Sequence, residues 1–211
     1  MSVSDTSGFV RRVLVLFAHP ALEKSRVNRR LIEAVRDLPG VTFHDLYEAY
    51  PDFHIRVSRE QELLTEHDVL VLQHPLFWYS TPALVKEWED LVLEHGWAYG
   101  SKGTALRGKT MVSAVTTGGR ESAYQLNGFN GHTLGQLLVP LFQTFRLCGM
   151  ECLPPFAAHG THSMSAEDIR RHAADYRRVV EALRDDRIDV GAVAELPRLN
   201  VDLDALLGEK E

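Results

Sequence analysis

Cysteine is scarce in this sequence. Its 211 residues include two cysteines, Cys148 and Cys152, and three residues separate them. Two thiols are too few for a secreted scaffold held by disulfides, and their spacing is not that of a CxxC motif. The pair is therefore predicted to be buried and reduced in a cytoplasmic protein.

An excess of positive charge is also missing. The formal net charge at pH 7 is −6. A nucleic-acid surface needs clustered cations that neutralise phosphates, so binding to nucleic acid is not predicted.

Long apolar runs are absent as well. The longest stretch without Lys, Arg, Asp or Glu is Ser122–Phe145, and its six Asn, Gln and His side chains make it too polar to predict a membrane span. Arg11 and Arg12 before VLVLFA resemble the start of an export signal, but the run ends at His19-Pro20 without a small-residue cleavage site. We interpret it as a first strand in a cytoplasmic protein, and we expect any association with the inner membrane to go through a protein partner.

Two kinds of binding motif are missing. The first strand-to-helix loop has neither GxGxxG nor GK[ST], which excludes the usual dinucleotide and P-loop signatures. No two histidines have ligand spacing on an identifiable helix, because His159 and His162 straddle a loop and His54 stands alone. No metal site is predicted.

The sequence does contain apolar strands that alternate with helices, at a length and composition typical of one α/β domain. The predicted strands are Val13–Ala18, Val41–Leu46, Val69–Leu72, Thr110–Thr116 and Glu151–Ala157. The predicted helices are Ser25–Leu38, Ser58–His67, one that Thr81 caps and Pro82 starts and that ends near His95, His132–Cys148 with a kink or break at Pro140, and Ser165–Arg184. Right-handed crossovers then favour a flavodoxin-like three-layer sandwich, a five-stranded parallel sheet of order 2-1-3-4-5 with helices on both faces.

Three segments follow from this pattern. Residues 1–10 are predicted to be a disordered leader, residues 11–187 the domain and residues 188–211 a C-terminal tail. The tail has no firm period and is either disordered or an arm on a partner chain. Within the domain, residues 47–57 show no clear period, and Ser58 with Gln61 has the pattern of a capping box.

The loop after the third strand is unusual. Phe77, Trp78 and Tyr79 follow one another between Pro75 and Pro82, although connecting loops are normally polar. Three rings at the carboxyl end of a strand suggest a wall for a planar ligand, since that edge is where open α/β sheets bind ligands. The alternative is that the rings fold back as ordinary core.

Two further loops meet the same edge in this topology. In the first, AHPALEKSRVN, free helix amides with Ser25, Arg26 and Asn28 could bind a single phosphate, although a plain helix start capped by Ser25 is equally compatible. In the other, TTGGRESAY, two glycines allow backbone to approach a ligand, and a simple turn is the alternative. A phosphate end, an aromatic wall and an amide edge together describe a site for flavin mononucleotide (FMN).

The strings HPLFWYSTPALVKEW, AVTTGGRESAY and GFNG resemble the NAD(P)H:quinone oxidoreductase family of flavodoxin-like proteins. LYEAYPDFHI, HGWAYG and LPPFAAHG are similar to the ancillary subunits of bacterial glutathione-regulated potassium-efflux systems. The resemblance covers Val13 to about Arg184. It implies bound FMN, NADH or NADPH as co-substrate, and a homodimer with its pocket at the interface. The helix from His132 is the candidate contact surface.

The resemblance also implies roles for individual residues. The implied FMN-binding residues are His19, Ser25, Arg26, Val27 and Asn28 at the phosphate and ribityl end, Pro75, Leu76, Phe77 and Trp78 at the ring, and Thr116, Thr117, Gly118 and Gly119 at its pyrimidine edge. Tyr124 matches a tyrosine beside the flavin. The family pairs that tyrosine with a histidine where this chain has Asn130, so the proton relay is open and His132 is a further candidate for it.

Two functions follow as hypotheses. One is a ping-pong reductase that passes hydride from NAD(P)H to the flavin and then to a quinone, with the cofactor supplying the chemistry. The other is a regulatory subunit that docks on a potassium-efflux antiporter, with a secondary flavin site. A one-electron flavodoxin is disfavoured, because such a protein needs no nicotinamide pocket. No loop carries an obvious arginine clamp for the 2′-phosphate that distinguishes NADPH from NADH.

Overall fold

A computed structural model describes residues 10–208. The predicted leader therefore lies outside the described residues, except for Val10. The strands are β1 Val13–Phe17, β2 Val41–Asp45, β3 Val69–Pro75, β4 Thr110–Thr117, β5 Glu151–Cys152 and β6 Phe156–His159. The helices are α1 Arg26–Val35, α2 Leu46–Ala49, α3 Val57–Glu66, α4 Ala83–Val92, α5 Leu134–Leu137, α6 Val139–Leu147, α7 Ala166–Arg184, α8 Val190–Val193 and α9 Leu203–Leu207.

The strands form one parallel sheet of order β2-β1-β3-β4-β5, in which β6 also pairs with β4. This confirms the predicted flavodoxin-like class and strand order. Alternate residues of β1 enter two hydrophobic clusters, because successive side chains point to opposite faces of a sheet. Leu14 and Leu16 pack in one cluster with Trp88 of α4, whereas Val13 and Val15 pack in the other with residues of α1 and α7. Because β1, β3 and β4 are neighbouring parallel strands, their carboxyl ends meet at one edge of the sheet.

The predicted fifth strand and the helix before it are each divided. The Leu153-Pro154-Pro155 segment separates β5 from β6, because proline has no N–H for a ladder bond. The predicted helix over residues 132–148 consists of α5 and α6, with the break at Leu138 and Pro140 in the first turn of α6. The predicted break is therefore confirmed, and it begins two residues before the proline.

Two predicted caps are wrong. Helix α4 has Pro82 at its N-cap without a side-chain bond, so Thr81 does not cap it. Helix α3 starts at Val57, one residue before the predicted Ser58, and no side chain caps it. Gln61 binds the carbonyl of Val92 and the carboxylate of Glu94 instead, because tertiary contacts with the end of α4 compete with the local capping box.

The prediction for the C-terminal tail fails for residues 188–208. They form α8, a 3₁₀ turn at Leu199–Val201 and α9, and these elements pack on their own domain. Val193 and Leu199 are fully buried and Leu203 is nearly so, in the cluster that contains α7. The three apolar residues have no regular spacing because each comes from a different short element, so no period was visible in the sequence.

Three further expectations concern the connection after β2, the two cysteines and the membrane. A short helix, α2, begins the connection that was predicted to have no period, and Asp45 caps it. Cys148 and Cys152 are free thiols, one buried and one partly buried, and burial raises the pKa of each to about 11. Within residues 10–208, each helix is too short or too polar to cross a lipid bilayer.

One oxygen of a buried carboxyl group on α4 has no hydrogen-bond partner among the described residues. Glu89 is 9% exposed, and its Oε1 is buried and unbonded. Burial raises its pKa from 4.5 to about 7. The unfolded chain therefore ionises Glu89 at a lower pH than the folded protein, and this group opposes folding increasingly as the pH rises from about 4.5 to 7.

Replacing Glu89 with glutamine should remove this pH dependence. At pH 8 we expect Glu89→Gln to raise the free energy of unfolding by up to about 2 kcal/mol, because a neutral amide replaces a buried charge. At pH 4.5 the variant and the wild type should be equally stable. Urea denaturation at both pH values measures the effect, and Glu87→Gln on the exposed face of α4 is the matched control. An equal change at both pH values would contradict this account of Glu89.

Candidate functional site

A cleft of about 340 Å³ lies at the carboxyl edge of the sheet. It is bounded by the start of α1, the loop after β3, the end of β4 and the loop after β6. Ten of the predicted cofactor-binding residues line it: His19, Ser25, Arg26, Val27, Asn28, Pro75, Leu76, Phe77, Thr116 and Gly118. The structure thus brings together residues that are far apart in the sequence, as the predicted topology requires.

His19 forms one wall of the cleft and is nearly buried. Its Nδ1 accepts a hydrogen bond from the Ala21 amide at 3.1 Å. Burial lowers the pKa of His19 below its ordinary value, so the ring is neutral at pH 7. A neutral ring that accepts at Nδ1 carries its proton on Nε2, which leaves Nε2 as a donor.

The start of α1 provides an environment for an anion. Ser25 caps the helix by accepting a bond from the Asn28 amide at 3.2 Å. The preceding amides, those of Arg26 and Val27, have no acceptor inside the helix. No acidic residue occupies the first turn, and the exposed Lys24 lies beside the cleft. The helix dipole and these donors favour a negatively charged group at this end.

Asn28 ties this helix end to the sheet. Its Nδ2 donates to Thr116 Oγ1 at 3.0 Å, and its Oδ1 accepts from Gln73 Nε2 at 3.3 Å. Gln73 in turn accepts a bond from the hydroxyl of Tyr176 at 3.0 Å. These four side chains are buried and fix the start of α1 against β3, β4 and α7. The anion end of the cleft is therefore held rigidly.

The aromatic loop adopts a tight turn. Phe77 and Ser80 exchange backbone hydrogen bonds of 2.9 and 3.0 Å, and the two residues between them have positive φ, 48° for Trp78 and 65° for Tyr79. Both angles match a type I′ turn, which residues other than glycine adopt at a cost of about 1–3 kcal/mol each. Phe77 lines the cleft, whereas Trp78 is 93% exposed and does not. The wall predicted from three rings thus consists of one ring together with Pro75 and Leu76.

The loop after β4 supplies a backbone rim. Gly118 lines the cleft, and a Cβ atom on it would lie 2.5 Å from Nε2 of His162. A Cβ on Gly119 would meet the ring of Tyr124 at 3.2 Å. Thr117 and Gly119 do not line the cleft. The rim runs from Thr117 to Gly119; Thr117 is its buried first residue, and its hydroxyl donates to the carbonyl of Gly119 at 2.8 Å.

The predicted catalytic residues lie outside this cleft. Tyr124 is nearly buried and borders a second cleft of about 380 Å³, next to His159. Asn130 accepts a 3.4 Å bond from the hydroxyl of Tyr79, and Nδ1 of the exposed His132 lies 3.0 Å from the carbonyl of Asn130. The side chain of Asn130 therefore contacts the aromatic turn, while its backbone amide donates to the carbonyl of Ala123 at 3.0 Å, next to Tyr124 in the chain.

Four cleft residues were missed from the sequence: Ala21, Lys24, Thr161 and His162. The last two follow β6, whose carboxyl end reaches the same edge as the other strands. The polar segment that follows the predicted fifth strand was the sequence signal that could have identified Thr161 and His162. Among residues 10–208, no three His, Cys, Asp or Glu side chains are grouped as a metal site.

These features define a flavodoxin-like protein with a cleft at the carboxyl edge of its sheet. A family model described as the flavodoxin-like fold matches residues 11–180, and the chain belongs to this family. The glutathione-regulated potassium-efflux system ancillary protein KefF of Klebsiella aerogenes is 46% identical over 165 residues, which cover 78% of this chain and 92% of that protein.

Two solved structures are also similar. General stress protein 14 of Treponema denticola, in complex with FMN, is 38% identical with a TM-score of 0.78 and covers 82% of this chain and 99% of its own. An NADPH-quinone reductase from P. pentosaceus is 30% identical with a TM-score of 0.73 and covers 80% of this chain and 96% of its own. The resemblance to quinone oxidoreductases and potassium-efflux ancillary subunits is thereby confirmed.

Proposed function

We propose that this protein is an FMN-dependent NAD(P)H:quinone oxidoreductase that works by a two-electron ping-pong mechanism. The observation that carries the proposal is one cleft with an anion end at α1, an apolar wall at Pro75, Leu76 and Phe77, and a backbone rim at Gly118. Relatives described as an FMN complex and as an NADPH-quinone reductase support it. FMN, when bound, supplies the hydride chemistry.

The residues of the cleft fit the parts of FMN. Ser25 Oγ, the first amides of α1 and Lys24 would hold the phosphate, and Nε2–H of His19 is a further donor. Phe77 and Pro75 would border the planar ring. The absence of a Cβ at Gly118 keeps the rim open, so that backbone amides can donate to the polar edge of the ring and stabilise negative charge there.

Tyr124 is our proposed catalytic residue, because its ring lies against Gly119 directly behind the rim. Asn130 is assigned a supporting role through Tyr79, and His132 acts at most through Asn130. A proton relay from Tyr124 through Asn130 has no direct contact to support it. The bond from the Thr117 hydroxyl to the Gly119 carbonyl would hold the rim on either side of Gly118. Trp78 would reach a ligand only from outside the cleft.

We propose a homodimer as the working form. The exposed apolar side chains Trp78, Leu126, Phe129, Val139 and Leu147 lie on the aromatic turn, on the loop after β4 and on α6. Val139 and Leu147 belong to the helical segment that was predicted as the contact surface. Sedimentation equilibrium measures the oligomeric state, and a monomer at micromolar concentration would contradict the proposal.

A second function is favoured by the similarity to KefF. The chain would then be a cytoplasmic regulatory subunit that docks on a potassium-efflux antiporter, with the flavin secondary. An FMN-free variant separates the two functions. If antiporter activation survives the loss of FMN, docking is the main function; if activation is lost with the flavin, the reductase site is required.

The direct test of the reductase is titration of the purified protein with FMN, followed by steady-state reduction of a benzoquinone with NADH and with NADPH. We expect a yellow one-to-one complex and a double-reciprocal plot of parallel lines, as a ping-pong reaction requires. A protein that stays colourless after incubation with FMN would exclude the proposed function.

A further inference from the structure

The segment after α7 has no counterpart in the family match, which ends at residue 180. The 3₁₀ turn Leu199–Val201 of this segment nevertheless lies against β6, the strand that leads to the rim of the cleft. Buried Val193 and Leu199 anchor the segment in the core, so its position on the domain is fixed. The segment is therefore placed to act on the rim.

Asn200 makes the main contact with β6. Its Oδ1 accepts from the Ala157 amide at 3.0 Å, and its Nδ2 donates to the Ala157 carbonyl at 2.9 Å. The neighbouring amide of Leu199 donates to the carbonyl of Pro155 at 2.9 Å. An edge strand leaves backbone donors and acceptors unpaired on its outer side, and one side-chain amide here pairs both groups of one residue.

The far end of β6 holds the rim directly. The Gly160 amide donates to the carbonyl of Gly119 at 2.8 Å, and the Thr161 amide donates to the carbonyl of Thr117 at 3.0 Å. Nδ1 of His159 lies 2.9 Å from Thr117 Oγ1. Because that hydroxyl gives its proton to Gly119, His159 must be the donor in this pair. The carbonyls of Thr117 and Gly119 are thus bonded to the two residues that follow β6.

The same C-terminal segment also contacts the 3₁₀ turn that follows the rim in the chain. Arg198 forms an ion pair with Glu121, which lies in the 3₁₀ turn immediately after Gly119 and Arg120. The guanidinium is largely buried, whereas the carboxylate is half exposed. The C-terminal segment therefore contacts two elements that adjoin the rim: β6, through Asn200, and the 3₁₀ turn after the rim, through Arg198.

We propose that residues 188–208 form an intramolecular brace, with Asn200 as a positioning residue, that sets the backbone of Thr117–Gly119. In a holoprotein this brace would set the affinity for FMN and its reduction potential, and that part rests on the proposed function. The positioning of the rim itself does not depend on FMN, because all the contacts are within the chain.

The test compares Asn200→Ala with Asp204→Ala. Asp204 lies in the same segment but pairs with Arg178 of α7, away from β6, so it is the matched control. In the flavin-free protein, amide hydrogen exchange at Ala157 and Gly160 should become roughly tenfold faster in Asn200→Ala, because two hydrogen bonds to the strand are lost. Exchange in β1 and β3 should not change, and Asp204→Ala should match the wild type throughout.

In the FMN complex, Asn200→Ala should raise the dissociation constant about five- to tenfold and make the midpoint potential more negative, because a looser rim stabilises the reduced ring less. Unchanged exchange at Gly160 would overturn the brace, even if exchange at Ala157 increases. If the wild type binds no FMN, the proposed function fails while the exchange experiment still decides the brace. If Asn200→Ala does not fold, Arg198→Gln takes its place, with faster exchange at Ala123 and Tyr124 as the expected result and unchanged exchange as the contrary one.

Discussion

Replacing Ser25 with aspartate is expected to weaken FMN binding about 100-fold. Ser25 is the N-cap of α1 and lines the anion end of the cleft. A carboxylate at roughly 5 Å from a phosphate, at an effective dielectric constant of about 20, costs about 3 kcal/mol, which corresponds to about two orders of magnitude in affinity. Aspartate is as good an N-cap as serine, so the stability of the helix should be unchanged.

The matched control is Ser25→Asn. Asparagine has the shape of aspartate and also caps helices well, but it carries no charge. Fluorescence titration of FMN should show near-normal binding to Ser25→Asn and the large loss in Ser25→Asp, and thermal unfolding should show both variants folded. Equal affinities for the two variants would show that no phosphate binds at the start of α1.

Replacing Glu60 with alanine is expected to destabilise the fold by about 3–5 kcal/mol, because each buried donor that is left without an acceptor costs about 1–3 kcal/mol. Glu60 is buried, and three side chains bind its carboxylate. His44 lies 2.9 Å from Oε1, Tyr50 donates to the same oxygen, and Trp88 Nε1 donates to Oε2 at 2.9 Å. The network joins β2, α3, α4 and the connection that follows α2.

The carboxylate of Glu60 is well satisfied by hydrogen bonds. Burial by itself would raise the pKa of Glu60, but the hydrogen bonds from His44, Tyr50 and Trp88 outweigh burial and lower it. For Tyr50, burial and the bond to Glu60 both raise the pKa, to about 12. The stabilisation from ionised Glu60 is therefore present above the ordinary carboxyl pKa of 4.5 and is lost as the pH falls through the lower pKa of the folded state.

Urea denaturation at pH 7 measures the effect of Glu60→Ala. The variant leaves three buried donors without an acceptor, and the loss is a large part of the total stability of a domain. Glu62→Ala on the exposed face of α3 should change stability by less than about 0.5 kcal/mol. A loss below about 1 kcal/mol in Glu60→Ala would mean that water replaces the carboxylate.

The fold was predictable because its periodic signals are strong. The apolar runs at β1 and β3 and the paired glycines after β4 identify parallel strands and a loop at their carboxyl ends. Helix caps were less predictable. Thr81 and Ser58 had suitable sequence context, yet neither caps a helix: Pro82 is the N-cap of α4, and α3 begins at Val57. In α3 the bonds of Gln61 to Val92 and Glu94 compete with the local capping box.

The site was predictable at the level of loops but not of single side chains. Trp78 and Phe77 are adjacent in the sequence, and both are large aromatic residues. The turn at residues 77–80 sends one ring to the cleft and the other to solvent, and the positive φ angles of Trp78 and Tyr79 are not typical of bulky aromatic residues. Thr161 and His162 were missed because their strand is interrupted at Pro154-Pro155.

The sequence by itself determined the order of the strands, the edge at which their loops meet and the chemical character of the cleft, because these depend on local periodicity and on the handedness of crossovers. Only the tertiary structure decided which rings face the cleft and that the C-terminal segment lies against β6. Those outcomes depend on contacts between residues distant in sequence, such as Asn200 with Ala157, and such contacts leave no periodic pattern in a single chain.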